Sequence, residues 1–322
     1  MTRLRREEGQ VVVLVAAIMI GLIGMTAFVV DVGSWFRQQR ALQSTVDAAA
    51  LAGAQSLPVD PATAMNLAVS YGNKNGGAGT IAPSDVSIAN TYQTSDTIGV
   101  SKAQGAEGLF GKVLGVFSVT VHAHATALVG PPEDAQYVAP IAVRITHPDL
   151  TGAACGQQNI TDPSQRICFG PTNQTSLPLG KTGAPGAFDL INLDVDQQNG
   201  TVGASTLASW IQNGFQKYLP LGGYFSDPGA KYNGNEIDDA LAARTGTDLL
   251  FPVYDTLDGT GSNASYHVVA WVGFHLLPGS YLQGSSGQLN GYFTKVLWQG
   301  LLPAGGPADV PDLGVKSVAL VN

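Results

Sequence analysis

Residues 11–30 form a run of twenty positions with no charged residue and no Pro. As a helix rising about 1.5 Å per residue, the run spans roughly 30 Å, the thickness of a bilayer's hydrocarbon core. Lipid offers the backbone no hydrogen bonds, so a single helix is the conformation this run predicts. The helical pattern continues past the run. Trp35, Phe36, Leu42, Val46, Ala49, Ala50 and Gly53 fall mostly three or four apart, and Pro58 is the first residue that should stop the helix. The spacing predicts one helix of about 45 residues, half in a membrane and half outside it.

Further along, Asp60 or Thr63 caps a helix that runs to residue 71, with Met65, Leu67, Ala68 and Tyr71 as its buried side. Residues 72–79 read as a turn. Residues 86–91 and 97–101 read as hairpin strands around a turn at 93–96. Residues 107–114 read as a short helix closed by Gly115. The clearest strand is 118–129, where Val119, Val121, Ala123, Ala125 and Ala127 alternate with Thr120, His122, His124 and Thr126. The Gly-Pro-Pro-Glu-Asp stretch at 130–134 marks a boundary. Beyond it, strands are expected at 137–145, 188–195, 265–276, 292–298 and 315–321. Helices are expected at 206–212, opened by Ser205, and at 235–244, capped by Asn235, with Glu236 and Asp238 where the helix dipole favours acids. The residues from 146 to 187 read mostly as loop.

Composition narrows the picture. Only 12% of the 322 residues are charged, while Gly numbers 40 and Pro 18, which suits a turn-rich, β-rich exterior better than a helical bundle or a disordered tail. The net charge is −8. The first 57 residues hold five Arg and four acids, leaving 11 basic and 20 acidic residues beyond them. No basic face is present to neutralise phosphates, so nucleic acid is not an expected partner. Arg3, Arg5 and Arg6 precede the apolar run and Arg37 and Arg40 follow it, which places the N-terminus in the cytoplasm by a small margin. A cleaved signal peptide is the alternative, but the run exceeds the usual h-region of about 7–15 residues.

The two cysteines, Cys155 and Cys168, flank twelve residues rich in polar and turn-forming types. In an exported domain they read as one disulfide, contributing about 3 kcal/mol in the chain-entropy model; in the cytoplasm they would be two thiols. The outward topology favours the disulfide. Their spacing fits no metal motif.

Candidate chemistry is sparse. His122 and His124 share a strand face without acids beside them, which reads as sheet surface. His267 and His275 flank Trp271 and read as packing with polar tips. Asp227, Glu236, Asp238, Asp239, Asp255 and Asp258 match no calcium-loop spacing, and capping and solubility explain most of them. No nucleophile elbow, dinucleotide fingerprint or phosphate loop occurs. Asn159, Asn173, Asn199 and Asn263 begin Asn-x-Ser/Thr triplets, which read as polar loops. The sequence predicts no catalytic residue, no metal and no cofactor. Small residues stand four apart at Ala17/Gly21, Ala48/Ala52, Ala49/Gly53 and Ala50/Ala54, a spacing that lets helices approach closely or admits the chain's own folded part. Asp31, one residue past the apolar run, is expected to reach water. Asp47 reads either as a solvated acid or as an acceptor in a contact.

A resemblance is carried by Gly9-Gln10, the apolar span, Val30-Asp31-Val32-Gly33, Leu42-Gln43 and the run from Asp47 through Gly53 to Ala54. Together these residues resemble the TadE/TadG-like proteins of Flp (Tad) pilus assembly. Leu109-Phe110-Gly111 and the strand ending at Ala127 resemble the later part of the same family's module, and residues 259–269 resemble a module often found behind such helices. Members processed by prepilin peptidase carry Glu five residues after the Gly. Here that position is Leu14, so residues 1–9 are expected to be retained and the anchor to be permanent.

The elements read along the chain predict an α+β protein: a tail at 1–9, the long helix at 10–57, a small pilin-like α+β unit at 58–130 and a β-rich α+β domain at 131–322. What the resemblance adds is a role. It implies a structural, non-enzymatic assembly component of a Flp/Tad pilus or secretion apparatus, single-pass in the bacterial cytoplasmic membrane with its bulk on the outer side. The expected partners are the bilayer, pilus or envelope proteins and further copies through the N-terminal helix, with Ala17, Gly21, Asp31, Asp47, Ala49 and Gly53 as contact residues. The rival expectation is an anchored binding protein holding a small ligand or sugar near Trp210, Trp271 and Trp298. An anchored hydrolase ranks below both, since no catalytic constellation is present.

Overall fold

The computed structural model describes residues 8–75, 79–114, 118–179, 189–194, 202–227, 235–283, 286–304 and 306–321. The chain divides into two compact units, Met1–Leu128 with Leu320–Asn322, and Val129–Ala319. The class is α+β, with a long apolar N-terminal helix ahead of a β-rich body.

The first unit begins with α1, Glu8–Ala54, a single uninterrupted helix of 47 residues. Helix α2, Pro61–Lys74, follows. Asp60 caps it by accepting from Thr63 N at 2.9 Å, with Pro61 in the first helical position, where its missing N–H is harmless. Strands β1 (Val86–Ala89), β2 (Thr97–Glu107) and β3 (Ser118–Gly130) form an antiparallel sheet in that order. Along β3, Val121, Ala123, Ala125 and Ala127 are buried and His122 and His124 exposed, the alternation the sequence predicts. The turn between β1 and β2 is held by Asp96, whose carboxylate accepts from the backbone N–H groups of Thr91, Tyr92 and Gln93 at 2.7–2.8 Å.

Two expectations change here. The buried face of α2 is Ala64, Ala68 and Gly72, while Tyr71 is exposed and Met65 and Leu67 are half-buried. Size misled the pattern, because the helix that α2 packs against admits only small residues. The helix expected at 107–114 is instead the end of β2 and a short 3-10 turn at Gly111–Leu114.

The second unit contains β4 (Asp134–Ala135), β5 (Val143–Arg144), α3 (Pro148–Thr151), α4 (Pro163–Arg166), β6 (Thr175–Leu179), α5 (Ala204–Asn213), β7 (Gly222–Phe225), α6 (Asn235–Arg244), β8 (Asp248–Asp258), β9 (Ser265–Leu276), β10 (Tyr281–Gln283), β11 (Ser286–Thr294), β12 (Val296–Leu297), β13 (Gly300–Leu301) and β14 (Val315–Val321). Its main sheet runs β10-β11-β9-β8-β5, with β6 also on β11 and β7 also on β9. The β8/β9 pair is the spine, in register from Asp248 opposite His275 to Asp258 opposite Ser265, with irregularities around Tyr254.

Both faces of that sheet are covered. Phe251, Phe274 and Phe293 meet Leu207 and Ile211 of α5 and Ile237 and Leu241 of α6. On the opposite face, Leu250, Tyr266 and Trp271 meet Val138, Phe215 and Leu219. Burial on both faces makes residues 249–254 of β8 a continuous apolar run rather than an alternating one.

The strand expected at 137–145 is broken into isolated bridges at Val138 and Ile141 and the short β5. Tyr137 has a positive φ of 58°, and Pro140 has no N–H to give a ladder. Of the strand expected at 188–195, Leu190 and Ile191 form isolated bridges, and residues 188 and 195 lie outside the described residues, as does most of the 1–9 tail. Ser205 lies inside α5, whose cap is Gly203, and Asn235 is the first residue of α6.

Candidate functional site

Helix α1 is chemically two helices in one. Residues 11–30 pack against nothing: every one is exposed except the half-buried Ala27. This stretch makes α1 the one described helix long and apolar enough to cross a membrane. From Asp31 onward, one face goes under the folded unit. Asp31, Ser34, Leu42, Val46, Ala49 and Gly53 are buried and Gln38 between Ser34 and Leu42 is half-buried; together they fall three or four apart, so one face goes under throughout.

The close approach of α2 to α1 explains the small residues there. A Cβ on Gly53 would stand 2.8 Å from Ala64 O, 3.0 Å from the Ala68 Cβ and 2.5 Å from Ile98 Cδ1 of β2. A Cβ on Gly72 would stand 3.1 Å from the Ala49 Cβ. Gly53 is therefore where α1, α2 and β2 meet, and Ala49 and Gly53 receive the chain's own α2. Ala17 and Gly21 differ. They lie on the exposed half, and a Cβ on Gly21 would meet nothing within 4 Å.

Asp31 occupies the boundary between the two halves. It is 2% exposed, not open to water as expected. Its carboxylate accepts from three successive backbone N–H groups, those of Leu109 at 2.6 Å, Phe110 at 3.0 Å and Gly111. Gly108 fits beneath the same carboxylate, with a Cβ there 3.0 Å from Asp31 Oδ2 and 3.4 Å from the Trp35 ring. An anion holding consecutive amides in a tight turn is the inverse of an anion-binding nest, the carboxylate being part of the protein itself. The sequence held a clue. Asp31 has no basic residue within one helical turn, its neighbours at that spacing being Ala27, Phe28, Ser34 and Trp35. A boundary carboxylate without a local partner needs a distant one.

Asp47 accepts from Gln43 Nε2 at 2.7 Å, and the same amide donates to His124 O of β3 at 2.7 Å. The amide is thus a rivet between helix and sheet, with Asp47 orienting it. Asp47→Asn keeps an acceptor at that point and is expected to change stability by under about 0.5 kcal/mol. Gln43→Ala removes both bonds and is expected to lose about 1 kcal/mol. Thermal melts of the detergent-solubilised protein compare the two, and equal losses would refute this ranking.

In the second unit, Cys155 and Cys168 are bonded, with Cα atoms 5.9 Å apart. A cleft of ≈ 390 Å³ opens in the same unit, with Ile141, Val143, Arg144, His147, Asp189 and Tyr254 among its lining residues. Tyr254 donates to Asp189 Oδ1 at 3.1 Å, and the Asp189 N–H donates to the Tyr266 hydroxyl at 3.0 Å. Burial, reinforced by Asp189, pushes both phenols above the ordinary tyrosine range. The tryptophans lie elsewhere. Trp271 is 2% exposed and donates to Glu133 O, Trp298 donates to Gln136 O at 2.6 Å, and Trp210 packs edge-on against Phe215. Trp210 and Trp298 pack against the buried cluster that includes Trp271, and Trp210 also lines a separate open cleft with Phe215 and Lys217. His267 and His275 contact Asp255 at 2.9 Å and Asp248 at 2.7 Å across the β8/β9 pair. His124 lies between the Ser101 and Thr126 hydroxyls. Among the described residues, no group of three or more His, Cys, Asp or Glu is placed to hold a metal ion.

The titrating groups predict two acid transitions. Burial pushes His147 below the usual histidine value, and Asp149 only partly offsets it. Its unfolded form binds the proton more readily, so this stability is complete above about pH 6.5 and declines as pH falls below it. In the first unit, burial raises Asp85 and Asp96, but Lys102 and the Ala82 N–H for Asp85, and the amides of Thr91, Gln93 and Tyr92 for Asp96, more than reverse it. Their contribution is complete above about pH 4 and is lost below it. Hydrogen exchange between pH 7 and 3 should therefore show amides of the second unit losing protection before those of the first. The reverse order would show that His147 is not the first group to act.

No curated protein and no solved structure matches the chain. A family match falls on the two-part helix itself: residues 9–56, from the second residue of α1 to two residues past its end, match the family described as "Tad: Putative Flp pilus-assembly TadE/G-like".

Proposed function

We propose that this chain is a membrane-anchored structural component of a Flp/Tad-type pilus or secretion apparatus. The N-terminus lies in the cytoplasm and both units lie on the outer side. One observation carries the reading: α1 runs without a break from an unburied apolar half into the core of a folded unit. A helix buried at one end cannot swivel freely against the unit it supports, so the anchor and the exterior unit move together. In lipid, close helix approach depends on small residues, and Ala17 and Gly21 supply such a face for another copy or for a neighbouring anchor. The role asks for no catalysis.

The test is expression of the tagged full chain in a pilus-bearing bacterium. The expected results are retention in membranes after carbonate washing, digestion of the bulk by protease added outside, and copurification of pilus-assembly proteins after cross-linking. Release by carbonate, or cross-linked complexes without any pilus-assembly protein, would overturn the proposal. A second reading, an anchored binding protein, draws on the ≈ 390 Å³ cleft with Arg144 and His147 in its lining. A small-molecule thermal-shift panel tests it: a stabilising compound whose effect is lost in Arg144→Ala favours that reading, and a flat panel removes it.

A further inference from the structure

We infer that the loop carrying Leu109 and Phe110 is a second membrane contact, seated at the hydrocarbon–headgroup boundary of the same bilayer that α1 crosses. This rests on the anchor reading above. Gly53 of α1 lies against Ile98, near the start of β2, and Asp31 of α1 holds the backbone just beyond the end of β2. β2 therefore runs antiparallel to α1, back toward the apolar half. The lengths agree: the helix from 31 to 53 rises roughly 33 Å at 1.5 Å per residue, and the ten steps of an eleven-residue strand cover about 33 Å at 3.3 Å each. The strand is just long enough to return the chain to the end of the apolar run.

There the carboxylate fixes the loop, and the loop turns its large side chains outward. Leu109 is 66% exposed and Phe110 48%. On α1, Phe28 and Val29, within one turn below Asp31, and Phe36 at 60%, just above it, are exposed as well. The groups behind the loop are polar, with Lys112 paired to Glu107 at 2.9 Å and Arg37 and Arg40 exposed on α1 at headgroup level. An apolar tip with a charged collar suits a lipid interface, where apolar groups sink about 5–10 Å below the headgroups. Satisfying three amides internally lets the loop enter that layer without unpaired donors, which lipid would penalise. Asp31 is thus a positioning residue: it holds the apolar tip at the membrane surface.

The experiment uses the full chain in phospholipid vesicles, with a fluorophore on one introduced thiol at a time; the native cysteines are bridged. The positions are Phe110→Cys, Leu109→Cys as a second loop site, Ile20→Cys in the span and Thr94→Cys at the far end of β2. Nitroxide lipids labelled near the headgroup are expected to quench 109 and 110 several-fold more than 94, and nitroxides deep in the acyl chain are expected to quench 20 most. Loop labels no more quenched than 94, with 20 still quenched, would overturn the inference and leave the anchor standing. An unquenched label at 20 would remove the anchor and the inference together. Loop labels shielded from both lipid nitroxide and aqueous iodide would mean that a protein covers the loop, which also overturns it.

Discussion

Replacing Cys155 and Cys168 together by Ser is expected to lower the stability of the second unit by about 3 kcal/mol. The bridge closes a sequence separation of 13 residues, and cross-linking so short a loop removes that much conformational freedom from the unfolded chain in the entropy model. The native side supports a loss of that size. Cys168 is buried, and its N–H donates to Asp149 O at 2.9 Å, which joins the bridged loop to the short helix that His147 caps and that carries Asp149. Gly152, at φ 78°, is packed so closely that a Cβ would stand 2.6 Å from Arg166 O, so the loop must close tightly for the chain to pass. Urea unfolding of the full chain in detergent provides the measurement. The expected signature is a lower midpoint with a steeper slope, since the uncrosslinked chain unfolds to a more open state. A loss under about 1 kcal/mol would mean that the local packing around Gly152 holds the loop without the bridge.

What the sequence could and could not disclose follows from where each signal resides. The long helix, β3, β9, β14 and α6 are readable because each carries a local period or an uninterrupted apolar run. β8 was not expected, although it is the centre of the larger sheet. Its core is apolar on both faces, so alternation disappears, and Pro252 opposite Trp271 argues against a strand in any local reading. The burial of Ala64, Ala68 and Gly72 rather than Met65, Leu67 and Tyr71 was hidden for a different reason. A pattern of hydrophobicity weighs side-chain size, whereas two backbones in close approach select its absence. The partners of Asp31 lie 78 to 80 residues away, beyond any periodicity. Its lack of a local partner was legible; which loop answered it was not.

Gly53→Ala is expected to destabilise the first unit, against the sign that helix propensity alone gives. Exchanging Gly for Ala within a helix gains about 0.8–1.0 kcal/mol where the added methyl meets nothing. At Gly53 the methyl meets Ala64 O at 2.8 Å, a backbone atom held inside α2, and Ile98 Cδ1 at 2.5 Å. The isoleucine tip can rotate away, but the carbonyl can move only if α2 moves. Overpacking of this kind typically loses about 1–3 kcal/mol, so a net loss near 1 kcal/mol is expected for Ala. Gly53→Val, which adds two more carbons and a β-branch, is expected to lose about 3 kcal/mol or more, as α2 is pushed off its small-residue face. Gly33 is the internal control. It is on the same helix, exposed, with nothing within 4 Å of a Cβ, so Gly33→Ala is expected to gain up to about 1 kcal/mol. Thermal melts of the three variants in one detergent decide the matter. If Gly53→Ala stabilises the protein as Gly33→Ala does, the close contact of α1 with α2 is not what holds the first unit together.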